Sequence, residues 1–285
     1  MARIISLGSA LQDLYLIDRD DFHATNVYSY SEKDTKSIFG DLIIGTKVDI
    51  DKLSYQVGGG GTNAAVEFAR HGHECTYFGN IGHDAAGDAV ITCLQKAGVD
   101  TRYIRFAPKR STGCSVILLD THTGERTILT HRGASAKFDN LDEKDLEVLK
   151  PDWLYVTSLR GDMDILNRFF KKAHEIGCKV MFNPGKLELE QKRALTNLLK
   201  YVDILLVNRT EAQQIVPGVV LTELIVHLGN LVPTAIITDS SMGAIATNGE
   251  KTYRFSIYED CPVKDTTGAG DAFGSGFLAH LAAGK

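Results

Sequence analysis

Apolar and β-branched runs recur along the chain: R-I-I-S-L-G (3–8), C-T-Y-F-G-N (75–80), D-W-L-Y-V-T (152–157), C-K-V-M-F-N (178–183), D-I-L-L-V-N (203–208) and T-A-I-I-T-D (234–239). Between them the pattern turns helical over 62–71, 84–97, 162–176, 187–200 and 209–215. Alternation of this kind predicts a mostly parallel, doubly wound sheet covered on both faces, a three-layer α/β sandwich. Ligands of such sheets bind beyond the carboxyl ends of the strands.

Two regions break the rhythm. Residues 14–57 hold no clear helix, and 111–131 reads as a hairpin turning at His122-Thr123-Gly124. Together they predict a small β-sheet packed over the active face as a lid. The expected division is a main α/β body of 1–13, 53–104 and 132–285, with a lid of 14–52 and 105–131. No internal repeat or low-complexity linker interrupts it.

Composition narrows the class. The chain has 285 residues, 44% hydrophobic and 24% charged, which is ordinary for a soluble globular protein. The net charge is -5 and no Lys/Arg run occurs, which argues against a nucleic-acid partner. Five scattered cysteines without a C-x-x-C pair fit reduced thiols in the cytoplasm. The apolar start breaks at Gly8 and ends at Asp13, so it reads as a first strand rather than a signal peptide. No stretch is long enough to span a membrane.

The candidate chemistry lies at Lys264–Gly276, K-D-T-T-G-A-G-D-A-F-G-S-G. Gly268, Ala269 and Gly270 can converge backbone N–H groups at the start of a helix, which suits an anion. The G-x-G-x-x-x-G spacing fits neither a dinucleotide fingerprint nor a P-loop. Asp271, directly behind, would repel a bound phosphate but suits a hydroxyl attacking one, whose proton it would accept. The pairing therefore points to phosphoryl transfer from a nucleotide to an alcohol.

D-T-T-G-A-G-D-A-F closely resembles the C-terminal signature of the ribokinase-like (PfkB) sugar kinases. G-G-G-G-T-N (58–63), G-S-A-L-Q-D (8–13), N-R-T-E (208–211) and G-H-D-A-A-G-D (82–88) are similar to further segments of that family, so the resemblance covers nearly the whole chain. It implies a ribokinase-like sandwich with a β lid, and ATP and Mg²⁺ as cosubstrate and cofactor. It implies Asp271 as base and Gly268, Ala269 and Gly270 as anion hole. Asp13, Gly58, Gly59 and Asn63 would bind a sugar or sugar-like acceptor. Asn208 and Glu211 would act through water on Mg²⁺ and the phosphates. Thr238, Ser240 and Gly243 would lie along the nucleotide, with Asn183 near its phosphates. Asp265 and Thr267 resemble residues that hold a monovalent cation such as K⁺ in some members. Singly, Asp13, Asn63 and Glu211 could be turn, cap and first-turn residues; their joint occurrence in chain order favours the functional reading.

The chain departs from the pattern in places. Gly60 stands where ribokinase has a lysine, and Ser240 replaces a usual glycine. The insertion before Gly58 enlarges the lid, making a homodimer through the lid one expectation. The sequence stops about one helix past Asp271, where family members normally continue to close the adenine pocket, so a truncated family fold is expected. An anionic acceptor would need a cationic clamp, for which Arg105, Arg132 and Arg160 are candidates. A nucleoside would need an aromatic shelf, for which Tyr28, Tyr30 and Phe39 are candidates. His71, His73 and His83 form the densest histidine cluster but lack a recognisable ligand spacing. The alternatives to a sugar kinase are a nucleoside kinase and a non-catalytic sugar- or nucleotide-binding protein.

Overall fold

The computed structural model describes residues 1–18, 52–120, 126–258 and 268–284. Its elements in chain order are β1 (Arg3–Leu7), β2 (Leu11–Asp18), β3 (Lys52–Gly58), α1 (Gly60–Arg70), β4 (Glu74–Ile81), α2 (Ala85–Lys96), β5 (Ile104–Phe106), β6 (Gly113–Asp120) and β7 (Arg126–His131). There follow α3 (Asp145–Leu149), β8 (Trp153–Val156), α4 (Met163–Glu175), β9 (Lys179–Phe182), α5 (Lys186–Leu189), α6 (Lys192–Leu198), β10 (Ile204–Asn208) and α7 (Arg209–Ile215). The rest are α8 (Leu221–Gly229), β11 (Thr234–Thr238), β12 (Ala244–Thr247), β13 (Thr252–Phe255) and α9 (Ala269–Ala282).

The main sheet runs β13-β12-β11-β10-β9-β8-β1-β4-β5, parallel from β11 through β5, with β12 and β13 antiparallel. Strand order reverses at β1: later strands stack toward β8 on one side and β4 on the other. A crevice at such a switch point is where open α/β sheets bind ligands. Alternate side chains leave each strand for opposite faces. Ile5, Leu7, Leu154 and Val156 join one core with α3 to α8, while Ile4 and Tyr155 join the other with α1, α2 and α9. This is the three-layer sandwich the alternation predicted. A separate sheet, β3-β2-β6-β7, carries the expected hairpin; residues 122–124 lie outside the described residues.

One predicted helix is corrected. Residues 187–200 do not form a continuous helix; α5 stops at Leu189, and α6 and a short 3-10 turn follow. Glu188 turns inward, fully buried, and binds the loop after β8, which the run's helix-forming composition could not announce. Among the described residues no helix is long and apolar enough to cross a membrane.

Phe169 of α4 is fully buried and packs edge-on against Phe78 of β4, pinning α4 to the sheet. Phe169→Ala is expected to cost about 3–5 kcal/mol, read as a lower urea midpoint with an unchanged slope.

Candidate active site

The turn from β3 into α1 builds the first wall. Gly59 has φ 106°, a conformation side chains avoid, and an added Cβ would meet the Ser9 carbonyl. Thr62 ties the turn by donating its hydroxyl to the Gly58 and Gly59 carbonyls at 2.7 and 2.9 Å. Asp13 of β2 lays its carboxyl against Gly58, in space a side chain there would need. It is in register with Ser115 of β6, whose hydroxyl bonds it. Burial pushes the Asp13 carboxyl above the usual aspartate range, while the Ser115 bond and the Arg132 charge pull it down.

The second wall is the start of α9. Gly268 caps it at φ 76° without any side-chain cap bond. The amides of Gly268, Ala269 and Gly270 have no acceptor among the described residues, so the helix end is open to an anion. Asp271 follows in the first turn. Asn63, in the first turn of α1, donates its side-chain amide to Asp271 Oδ2 at 2.9 Å, across 208 residues of sequence. Burial holds the Asp271 carboxyl above its ordinary range, and the Asn63 bond opposes this. Beneath it the fully buried Tyr155 hydroxyl has no partner among the described residues; burial, and then the Asp271 charge, raise it. Between the walls lies a cleft of about 390 Å³ lined by Asp13, Gln56, Gly58, Asn63, Gly268 and Ala272. A larger depression, about 600 Å³, lies by Arg3, Asp152, Trp153 and Lys179 at the strands' amino ends, away from this chemistry.

The remaining predicted residues gather at the carboxyl ends of β9, β10 and β11. Asn183 donates to the Leu206 carbonyl at 2.8 Å. Asn208 and Glu211 form a capping box on α7, with Asn208 Oδ1 accepting from the Glu211 amide at 2.9 Å and Glu211 Oε2 from the Asn208 amide at 2.8 Å. The cap reading of these two residues is thus physically present. It leaves Glu211 Oε1 without a partner among the described residues, on a carboxyl raised mainly by burial. Thr238 pairs with Asn208 in the sheet register. Ser240 adopts φ 48°, which costs a serine roughly 1–2 kcal/mol, and Gly243 closes the turn at φ 84°.

Several candidates fall elsewhere. Arg105 is ion-paired to Asp145 at 2.8 Å and drops out as a clamp. Arg160 sits exposed after β8. His73 is buried between the Ala2 amide and the Ala279 carbonyl, His71 pairs with Glu67, and His83 stacks on Phe106. The three therefore do not converge. Asp265, Thr267, Tyr28, Tyr30 and Phe39 lie outside the described residues. Sequence reasoning missed Ser115, Tyr155 and Glu188, because only sheet register and long-range packing bring them to the site.

Asn63→Ala removes the one bond opposing the burial of Asp271. The Asp271 carboxyl is expected to titrate at higher pH in that variant than in the wild type, measured by carbon-detected NMR across a pH series.

An open helix end beside a carboxylate fits phosphoryl transfer to an alcohol, and the protein is an ATP-dependent phosphotransferase. It belongs to the pfkB family of carbohydrate kinases, which residues 25–285 match. A ribokinase of Schizosaccharomyces pombe is 28% identical over 274 residues, covering 86% of this chain and 83% of the relative. An Arabidopsis thaliana ribokinase complexed with ribose and ATP superposes with TM-score 0.80 at 24% identity, covering 100% of this chain and 87% of that one. A Burkholderia thailandensis nucleoside kinase in complex with inosine superposes at 0.75 with 19% identity, covering 99% and 86%.

Proposed function

We propose that this kinase moves the γ-phosphate of ATP onto a hydroxyl of a sugar or sugar-like acceptor held by Asp13, Gly58, Gly59 and Asn63. The observation that supports it is the Asn63–Asp271 bond, which joins the turn from β3 into α1 to the first turn of α9. The acceptor O–H gives its proton to Asp271 as its oxygen bonds to the γ-phosphorus. The bond from that phosphorus to the β,γ-bridging oxygen breaks, and ADP leaves with the electron pair. Asp271 then releases the proton to solvent. The amides of Gly268, Ala269 and Gly270 offset charge gathering on the transferring group; one such donor is worth about 2.7–4 kcal/mol.

The nucleotide lies along Thr238 to Gly243, with Asn183 and Asn208 near its phosphates. Mg²⁺, when bound, would offset negative charge on the phosphates. Glu211 Oε1, without a partner among the described residues, fits a water-mediated hold on such an ion, since Mg²⁺ usually keeps several waters and needs few protein carboxylates. The small sheet acts as a lid that excludes water, a competing acceptor. Use of ATP and scattered cysteines without a C-x-x-C pair support a cytoplasmic setting.

ADP release with Mg-ATP across hexoses, pentoses and nucleosides tests this reading. Release that requires one sugar-like acceptor is expected. Release with nucleosides alone would move the protein to the nucleoside kinases.

A further inference from the structure

A fully buried hydroxyl sits beneath the two walls of the cleft with nothing to bond. Tyr155 of β8 is in register with Ser6 of β1, so both side chains leave the same face of the sheet. Ser6 donates its hydroxyl to the Gly61 carbonyl at 2.7 Å and pins the first turn of α1. Tyr155 touches both helices of the site. Its ring packs edge-on against Phe68 of α1, with centroids 5.3 Å apart. Its hydroxyl reaches α9 at Gly274, where an added methyl would stand only 2.6 Å from the phenolic oxygen. Gly274 thus leaves the room that the hydroxyl fills. The side chain is wholly buried, and the hydroxyl has no hydrogen-bond partner among the described residues.

Asp271 comes three residues before Gly274 in α9, and residues three apart share a helix face. Asn63 donates to Oδ2 of its carboxylate, while Oδ1 has no partner among the described residues. A buried donor and an unpaired acceptor oxygen therefore stand one helical turn apart. Burial, and then the Asp271 charge, raise the Tyr155 phenol, so it stays a neutral O–H donor. Few other groups bear on this carboxylate among the described residues. From α1, Asn63 faces it, Glu67 one turn on is paired with His71, and Arg70 lies beyond. The other titratable side chain of α9, His280, bonds the Gly276 carbonyl near the far end of the helix. From the sheet, β8 brings Tyr155 and β10 brings Leu206, both against Gly274. Buried polar groups in folded proteins are nearly all bonded, and the Asp271 carboxylate is the acceptor that this placement offers Tyr155.

We propose that Tyr155 is a positioning residue for the base, its hydroxyl donating through one bridging water to the Asp271 carboxylate on the side that Asn63 leaves open. This rests on the reading of Asp271 as the base and adds the group that holds it. Asn63 steadies the carboxylate from the turn between β3 and α1, and Tyr155 steadies it from beneath. Waters of this kind bridge buried polar groups that would otherwise go unsatisfied. A second donor favours the charged form of the carboxylate, which is the form that takes a proton. Each carboxylate oxygen keeps a further lone pair, so the acceptor hydroxyl still finds a place to deliver its proton.

The test is a carbon-detected NMR titration of the Asp271 carboxyl, with kcat and KM at each pH, in the wild type and in Tyr155→Phe. Phenylalanine keeps the ring against Phe68 and removes only the oxygen. The Asp271 midpoint is expected to rise by about one pH unit, a tenfold loss of the ionised form below it. In step with it, kcat should fall below the midpoint and recover above it, with KM for the acceptor unchanged. Gly274→Ala, whose methyl displaces the hydroxyl without removing it, should move the midpoint the same way and gives the same reading should Tyr155→Phe not fold. A merely structural tyrosine leaves the midpoint alone, and deleting its orphaned hydroxyl then raises the melting temperature. An unmoved midpoint therefore overturns the inference. A raised midpoint with kcat unchanged at every pH upholds the link between Tyr155 and the carboxylate and sinks the reading of Asp271 as the base instead.

Discussion

Asp271→Asn is expected to lower kcat about 10²–10⁴-fold while leaving acceptor binding nearly unchanged. The swap preserves shape, and the Asn63 amide still finds an oxygen to bond. What disappears is the group that takes the acceptor proton in the proposed mechanism. The wild-type pH profile carries the same signature. The carboxylate works only when ionised, and burial raises its pKa above the usual aspartate range, so kcat/KM climbs with pH through that raised value. Stability moves the opposite way. A carboxyl whose folded pKa exceeds its unfolded one contributes stability fully below the unfolded pKa, and that contribution is lost as pH rises through the folded pKa. At pH 7 the asparagine variant should therefore melt no lower than the wild type, and by the same linkage higher. Thermal melts at pH 4 and 7 beside steady-state rates check both halves. A variant that loses activity and several degrees together would make Asp271 a structural residue.

Gly59→Ala is expected to be the most damaging single-methyl change in the site. Its φ of 106° and ψ of 137° would strain alanine by about 1–3 kcal/mol. The new methyl also overlaps the Ser9 carbonyl and approaches Ala10 Cα to 3.0 Å. Overpacking of that kind typically adds about 1–3 kcal/mol. The turn can relieve it only by shifting α1, which carries Asn63 and hence the bond to Asp271. A displacement near 1 Å can cost about 10²-fold in rate, so turnover should fall beyond the loss of folded protein. Gly72→Ala is the control: its φ is 81°, but nothing lies within 4 Å of the new methyl. Urea unfolding and kcat on both variants separate overlap from backbone strain. Equal effects at the two sites would mean that the Ser9 contact is not what makes Gly59 necessary.

The central strands were readable because β1, β4 and β8 to β11 are buried on both faces and spell continuous apolar runs. Strand β3 is mostly exposed, K-L-S-Y-Q-V-G, so no such run marks it. The β12–β13 hairpin did carry a local signal, Asn248-Gly249 between two β-rich stretches, and Gly249 sits at φ 85° as that turn chemistry requires. The break between α5 and α6 had none. Glu188 is a good helix former that ends up serving a loop nearly 30 residues earlier. The site divides the same way. The glycine turns and Asp271 announce themselves locally, whereas the Asn63–Asp271 bond, the Ser115–Asp13 pairing and the burial of Tyr155 exist only after the sheet is assembled. Ser240 shows that a departure from a family pattern can persist at a price: it keeps the left-handed turn without the glycine.

The most direct measurement is phosphorus NMR of the protein incubated with Mg-ATP and an accepted sugar. The account requires the γ-phosphate resonance to be replaced by a phosphomonoester coupled to acceptor protons, matched by ADP, and absent in Asp271→Asn. ADP accompanied only by inorganic phosphate, or a monoester formed equally well by Asp271→Asn, would contradict it.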